Sequence, residues 1–301
     1  MADAVIDTAQ PTTRQIAAAL REEKLKRGKR AAILKHIFLI ATSLVMIYPL
    51  IWMVSSSLKP DNQIFGDLGL WPSEFRWENY SNGWNAMTVS FTQFFLNSTF
   101  VTVLSVIGNV ISCSFAAYAF ARLEFSGKTV WFALMMGTLM IPYHVVLIPQ
   151  YILFLKAGWV DSYLPLIVPR FLAGDAFFIF LMVQFFRQLP RELDEAAMID
   201  GCNPFKIYWA IILPLSVPAM ATAAIFSFIW TWEDFLGPLV YLNDMHDYTV
   251  PLALRSFIAQ DSVSAYGQLF AMSILSILPI ILFFVIFQRL IIRGIAMSGL
   301  K

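Results

Sequence analysis

Apolar positions along this 301-residue chain gather into six long runs, at residues 34–54, 94–120, 130–148, 164–186, 211–235 and 269–290. An α-helix needs about 20 such residues to cross the hydrocarbon of a bilayer, so the pattern predicts six membrane-spanning helices. Pro142, Pro149, Pro214, Pro218 and Pro279 fall in or beside these runs. Proline interrupts a helix, and irregular backbone at membrane depth is tolerated only against protein or water. Several spans should therefore bend around a cavity. Between the fourth and fifth runs lies a polar stretch, 189–210, with its own punctuation. Pro190 is placed as the first helical residue, Glu192, Asp194 and Glu195 put negative charge in the first turns, and Gly201 ends the helix. Asn203 and Pro204 then read as the N-cap and first residue of a second helix that runs into the fifth span.

Composition agrees. Hydrophobic residues make up 58% of the chain and charged ones 14%, against soluble averages of about 45–50% and about 25%. The expected class is an all-α integral membrane protein with six transmembrane helices, and no soluble core of comparable size is left to build. The basic residues orient it. Of 21 Lys and Arg, Lys59, Arg76, Lys156 and Arg255 fall on one side and Arg170 in a run, which leaves sixteen on the other. The positive-inside rule puts that richer side, with both termini and the 189–210 loop, in the cytosol. The expected division is a basic cytosolic segment 1–33, a six-span domain 34–292 containing the loop, and a cytosolic tail 293–301. Residues 1–33 lack the charged-then-apolar order of a cleaved signal peptide, and Arg21 to Arg30 suit a short surface helix that anchors topology. The net charge of +1 and this sided distribution exclude a nucleic-acid partner.

On the opposite side, 60–93 carries Trp71, Trp77, Tyr80 and Trp84, suited to the headgroup belt or to packing over the spans. The 237–268 loop is polar enough to be wet, with Asn243, Asp244, His246 and Asp247.

Catalytic chemistry needs convergent groups, and none converge. Ser126-Gly127-Lys128-Thr129 imitates the end of a phosphate-binding loop, but the leading glycine is Arg122 and a membrane helix precedes it. His36, His144 and His246 are too scattered for a metal pair or relay. Cys113 and Cys202 make neither a disulfide framework nor a metal site. The costly residues within spans are Arg170 and Asp175 in the fourth and Glu233 and Asp234 at the outer end of the fifth. Such groups usually face water or each other, which makes them pathway candidates. Pro165 and Pro169 leave an alternative for Arg170, an outer loop ahead of a later helix start.

One spacing carries a family resemblance: Glu195-Ala196-Ala197, three residues to Gly201, nine more, then Ile211-x-Leu213-Pro214. It resembles the EAA loop of ATP-binding-cassette (ABC) importer permeases. The phrase from Glu192 through Asp200 to Gly201, with Trp232-Glu233-Asp234-Phe235-Leu236, is similar to the maltose-type, carbohydrate-importing branch, and the likeness spans roughly residues 30 to 301. The resemblance implies a bacterial inner-membrane permease subunit paired with a second permease, two cytosolic ATPase subunits that bind ATP and Mg, and an external solute-binding protein facing the 237–268 loop. It implies no cofactor on this chain and no hydrolysis by it. It also implies ATPase coupling through Glu195, Ala196, Ala197, Asp200, Gly201, Leu213 and Pro214, and a sugar or oligosaccharide substrate. A membrane scaffold or sensor that holds a cytosolic partner through the same loop is the alternative.

Overall fold

The computed structural model describes residues 13–66, 69–260 and 265–298. The described residues form helices and turns without a strand. The chain divides into two compact units, 1–55 and 56–301. The described part of the first is almost the whole of α1 (Thr13–Ser57), one helix of 45 residues. It carries both the basic segment and the first apolar run, so the separate surface helix expected over 21–30 is continuous with the span.

The second unit begins with the short α2 (Asp61–Ile64) and α3 (Glu78–Trp84), followed by α4 (Phe91–Arg122), α5 (Lys128–Thr138) and α6 (Tyr143–Lys156). Then come α7 (Leu164–Ile167), a 3₁₀ turn at Val168–Leu172, α8 (Ala176–Gln188), α9 (Glu192–Ile199) and α10 (Pro204–Ile207). A π turn at Tyr208–Ile212 leads into α11 (Leu213–Leu215) and α12 (Val217–Trp232). Last are α13 (Leu236–Tyr241), a 3₁₀ turn at Met245–Asp247, α14 (Val250–Gln260) and α15 (Tyr266–Ser298).

Among the described residues, four helical stretches are long and apolar enough to cross a membrane, and up to six if each of two bent pairs counts as one span. The run at 130–148 is divided between α5 and α6, which meet at 99°. Pro142 stands at the break in extended conformation (φ −60°, ψ 132°), as expected of a residue with no N–H to continue a helix. The fifth run bends by 77° between Leu215 and Val217, flanked by Pro214 and Pro218. Pro149 and Pro279 are accommodated inside helices.

α4 is the axis of the second unit, packing against both α8 and α12. Ser90 caps its start, accepting from the Thr92 N–H at 3.4 Å. Its buried face is small and polar, with Ser98, Thr102, Ser105, Gly108, Asn109, Ser114 and Ala117. Such residues let helix backbones approach closely and bond across the interface. Asn109 donates to Ser227 Oγ of α12 at 3.1 Å, Ser114 and the Tyr208 hydroxyl share a bond of 2.7 Å, and the Tyr118 hydroxyl donates to Pro204 O at 2.9 Å. Gly108 meets the Phe171 ring: a Cβ there would lie 2.4 Å from Phe171 Cδ2.

The segments between spans are more ordered than the word loop suggests. In 60–93, Trp84 packs on Phe91 and Phe95, as expected of an aromatic lying over the spans, while Trp71 and Trp77 are exposed. The 237–268 stretch is largely helical and is tied to α4, because Asn97 donates to the carbonyls of His246 (2.7 Å) and Tyr248 (3.0 Å) and Ser98 Oγ accepts from the Val250 N–H at 2.8 Å. At its tip the backbone N–H and ring of His246 hold the Asp244 carboxyl below its usual pKa.

Candidate functional site

Two features answer to the residues singled out in the sequence. The first is a cavity of about 320 Å³ lined by Tyr143, Gln150, Phe154, Pro165, Leu166, Pro169, Arg170, Gly174, Asp175, Asp234 and Tyr241. Its walls come from the α6 half of the broken third span, the α7 and 3₁₀ segment, the start of α8, the turn after α12 and the end of α13. Arg170 lies on the 3₁₀ turn, and its Nη1 donates to Asp175 Oδ2 at 3.2 Å. Helix α8 begins only at Ala176, as Pro165 and Pro169 allowed, yet Arg170 is not in a free loop. Its carbonyl accepts from Ser112 Oγ at 2.8 Å, two thirds of the way along α4. Ala173, with φ +52°, turns the chain from the 3₁₀ segment into α8.

Asp234 reaches the same cavity from the C-terminal end of α12, where its Oδ1 also accepts from the Gly237 N–H at 3.0 Å. Glu233, its neighbour, is exposed and not among the lining residues. The structure thus brings Arg170, Asp175 and Asp234 to one cavity and leaves Glu233 outside it. The sequence reading missed Tyr143, Gln150, Phe154 and Tyr241, since single aromatic and amide residues in or beside apolar runs carry no motif. Pro142, which starts α6 beside Tyr143, was the available signal. Paired charges, hydroxyl and amide groups beside aromatic faces suit a polar solute with some apolar surface, and the volume lies at the low end of ligand pockets.

The second feature is α9. It starts two residues later than Pro190 suggested and carries Glu192, Asp194 and Glu195 in its first turns. It ends in a Schellman motif: the Gly201 N–H donates to Met198 O at 3.0 Å and the Cys202 N–H to Ala197 O at 2.9 Å. Gly201 is at φ +79°, the left-handed region that glycine enters without steric cost. The next helix begins as expected, with Asn203 Oδ1 accepting from the Lys206 N–H at 2.8 Å.

Asp194 and Ala197, one turn apart, are buried against the core, while Glu195, Ala196, Asp200 and Gly201 are exposed. Leu213 is half-buried and Pro214 exposed. Ile199, one turn beyond Glu195 and therefore on the same face, is 88% exposed, with Met198 and Phe205 also open. This apolar outer face escaped the sequence reading, which weighed only charge and glycine. Arg122 escaped it too. Its Nη1 donates to Asp194 Oδ2 at 3.1 Å, and its Nη2 donates to the carbonyls of Phe186 (2.7 Å) and Leu189 (2.8 Å).

The family described as "Binding-protein-dependent transport system inner membrane component" matches residues 108–297. A probable ABC transporter permease protein of Bacillus subtilis is 34% identical over 88% of this chain and 87% of its own length. The trehalose/maltose transport system permease protein of Thermococcus litoralis is 32% identical over 94% of this chain and 99% of its own. A solved bacterial ABC transporter involved in import of the acidic polysaccharide alginate shares the fold, with a TM-score of 0.74 at 22% identity over 87% of this chain and 96% of that one.

Proposed function

The chain belongs to the family of binding-protein-dependent transport system inner membrane components, a transport subunit and not an enzyme, and from that premise we propose how it works. It forms half of the translocation pathway for a sugar or oligosaccharide, around the cavity of Arg170, Asp175 and Asp234. The other half comes from a second, different permease subunit. Two cytosolic ATPase subunits, which bind the ATP and Mg, dock on the outer face of α9, and an external binding protein delivers solute to the side of the 237–268 segment. Both termini and the 189–210 loop are cytosolic in the bacterial inner membrane, with residues 1–33 and 293–301 flanking the spanning domain.

Support for the sugar class comes from the relative named for trehalose and maltose and from the hydroxyl, amide and aromatic groups of the cavity. The coupling reading rests above all on the shape of α9, a short helix closed at its end, with Glu195 and Ile199 on its open face. A helix built this way can be pushed as a rigid body. ATP-driven closure of the ATPases would then rock the spans between inward-open and outward-open states. The test is a purified complex in vesicles: solute-loaded binding protein should stimulate ATP hydrolysis and drive accumulation of a maltose-type disaccharide. Hydrolysis without accumulation of any sugar offered would remove the substrate class, and ATPases that copurify only when α9 is intact would support the docking site.

A further inference from the structure

A rigid docking helix does nothing for transport unless its motion reaches the cavity, and one buried residue bonds α9 directly to the helix that leads there. Arg122, the last residue of α4, is buried, with 2% of its side chain exposed, and its partner Asp194 on α9 is 11% exposed. The guanidinium bonds to three acceptors at once: the carboxylate on α9, the Phe186 carbonyl in the last turn of α8, and the Leu189 carbonyl just beyond it. A cation at the C-terminal end of a helix is favoured by the helix dipole and by otherwise unsatisfied carbonyls. Arginine's planar fork can serve several acceptors where the point charge of lysine cannot.

From this joint α4 leads straight to the cavity. Ser112 and Cys113 lie roughly 15 Å away along the axis at 1.5 Å per residue. Ser112 Oγ donates to the Arg170 carbonyl at 2.8 Å, and Cys113 Sγ lies 3.7 Å from the Asp175 carbonyl. Both halves of the cavity's ion pair are thus carried on backbone that α4 holds.

We propose that Arg122 is a positioning residue for transport, locking α9 to α4 and α8 so that a push on the docking helix moves the backbone of Arg170 and Asp175. The proposal rests on the docking role assigned to α9. It differs from a general need for stability because the joint contacts neither the cavity nor the exposed docking face, yet uncoupling is its expected failure.

Removing one member of a buried pair leaves the other uncompensated, so two gentler variants are used in the full complex: Arg122→Lys, and the double variant Arg122→Gln/Asp194→Asn, which removes both charges. In each, the ATPase subunits should still copurify and basal ATP hydrolysis should persist, while solute moved per ATP falls by about 5- to 150-fold, the usual span of coupling between sites. Parallel loss of assembly, hydrolysis and uptake means a structural role only and overturns the proposal, as does unchanged transport per ATP.

A second measurement leaves Arg122 in place. Spin labels at Ser126 and Glu192 should keep one separation in nucleotide-free and vanadate-trapped complexes, while labels at Glu192 and Asn243 change theirs. Movement within the first pair, or none in the second, overturns the proposal. Failure of the docking assignment reads differently: Glu195→Lys and Gly201→Val would then transport normally whatever the label distances do.

Discussion

Gly201 has open space where a Cβ would go, so what it supplies is backbone conformation. A β-branched residue held in the left-handed region costs about 1–2 kcal/mol, and relaxing that strain would re-aim the chain between α9 and α10. Glu195 is different: it is exposed, its carboxylate bonds to no other described residue, and under the docking proposal it acts through what binds it. A charge-assisted hydrogen bond contributes about 1.5–3 kcal/mol, so losing one should weaken ATPase docking by about 10- to 150-fold. On a merely solvated loop the same changes would move stability by less than about 0.5 kcal/mol. Glu195→Lys and Gly201→Val should therefore insert normally but lose uptake, and Glu195→Lys should also lose copurification of the ATPases. Normal uptake with ATPases bound in both would reject the docking assignment. In the cavity, Asp234→Asn, Asp175→Asn and Arg170→Gln should alter uptake affinity or selectivity while the complex and its ATP hydrolysis survive. Glu233→Gln, facing away, should do neither.

Helix α4 shows how sequence and packing divide the information. That it spans was legible from its apolar run, and that α9 stops at Gly201 was legible because a helix end has its own chemistry. The contacts of α4 were not. Asn109 on Ser227 and Arg122 on Asp194 join positions 118 and 72 residues apart, and hydropathy has no term for such pairings. Gly108 was equally silent, although it fixes how near the 3₁₀ segment approaches. Its missing side chain leaves room for the Phe171 ring, three atoms of which would lie within 2.8 Å of a Cβ, so the whole ring would have to move. Gly108→Val should destabilise the purified complex by about 1–3 kcal/mol, the usual cost of overpacking. Because the displaced ring neighbours Arg170, transport should suffer as well. Adding Phe171→Ala should restore much of the melting temperature. A Gly108→Val variant that melts like the parent would mean the ring is not held there.

Across the whole molecule the apolar runs tell how many times the chain can cross, and only charge tells which way. The bent pairs complicate the count: α5 with α6 and α10–α11 with α12 each cross once or fold back, and the two choices reverse the side on which later segments emerge. Sixteen Lys and Arg on one side against four on the other favour one crossing for each pair, because a re-entrant α5–α6 would carry Arg187, Arg191 and Lys206 outward with the loop that holds α9. The expectation is accessible to single-cysteine labelling in intact cells, in a background with Cys113→Ser and Cys202→Ser. Cysteines at Phe75 and Asn243 should react with an impermeant maleimide from outside. Those at Leu25, Ser126 and Leu300 should react only after the membrane is opened. External reaction at residue 25 or 300 would overturn the orientation. External reaction at residue 192 with residue 126 still protected would make the α5–α6 pair re-entrant, and would place α9 where no cytosolic ATPase could reach it.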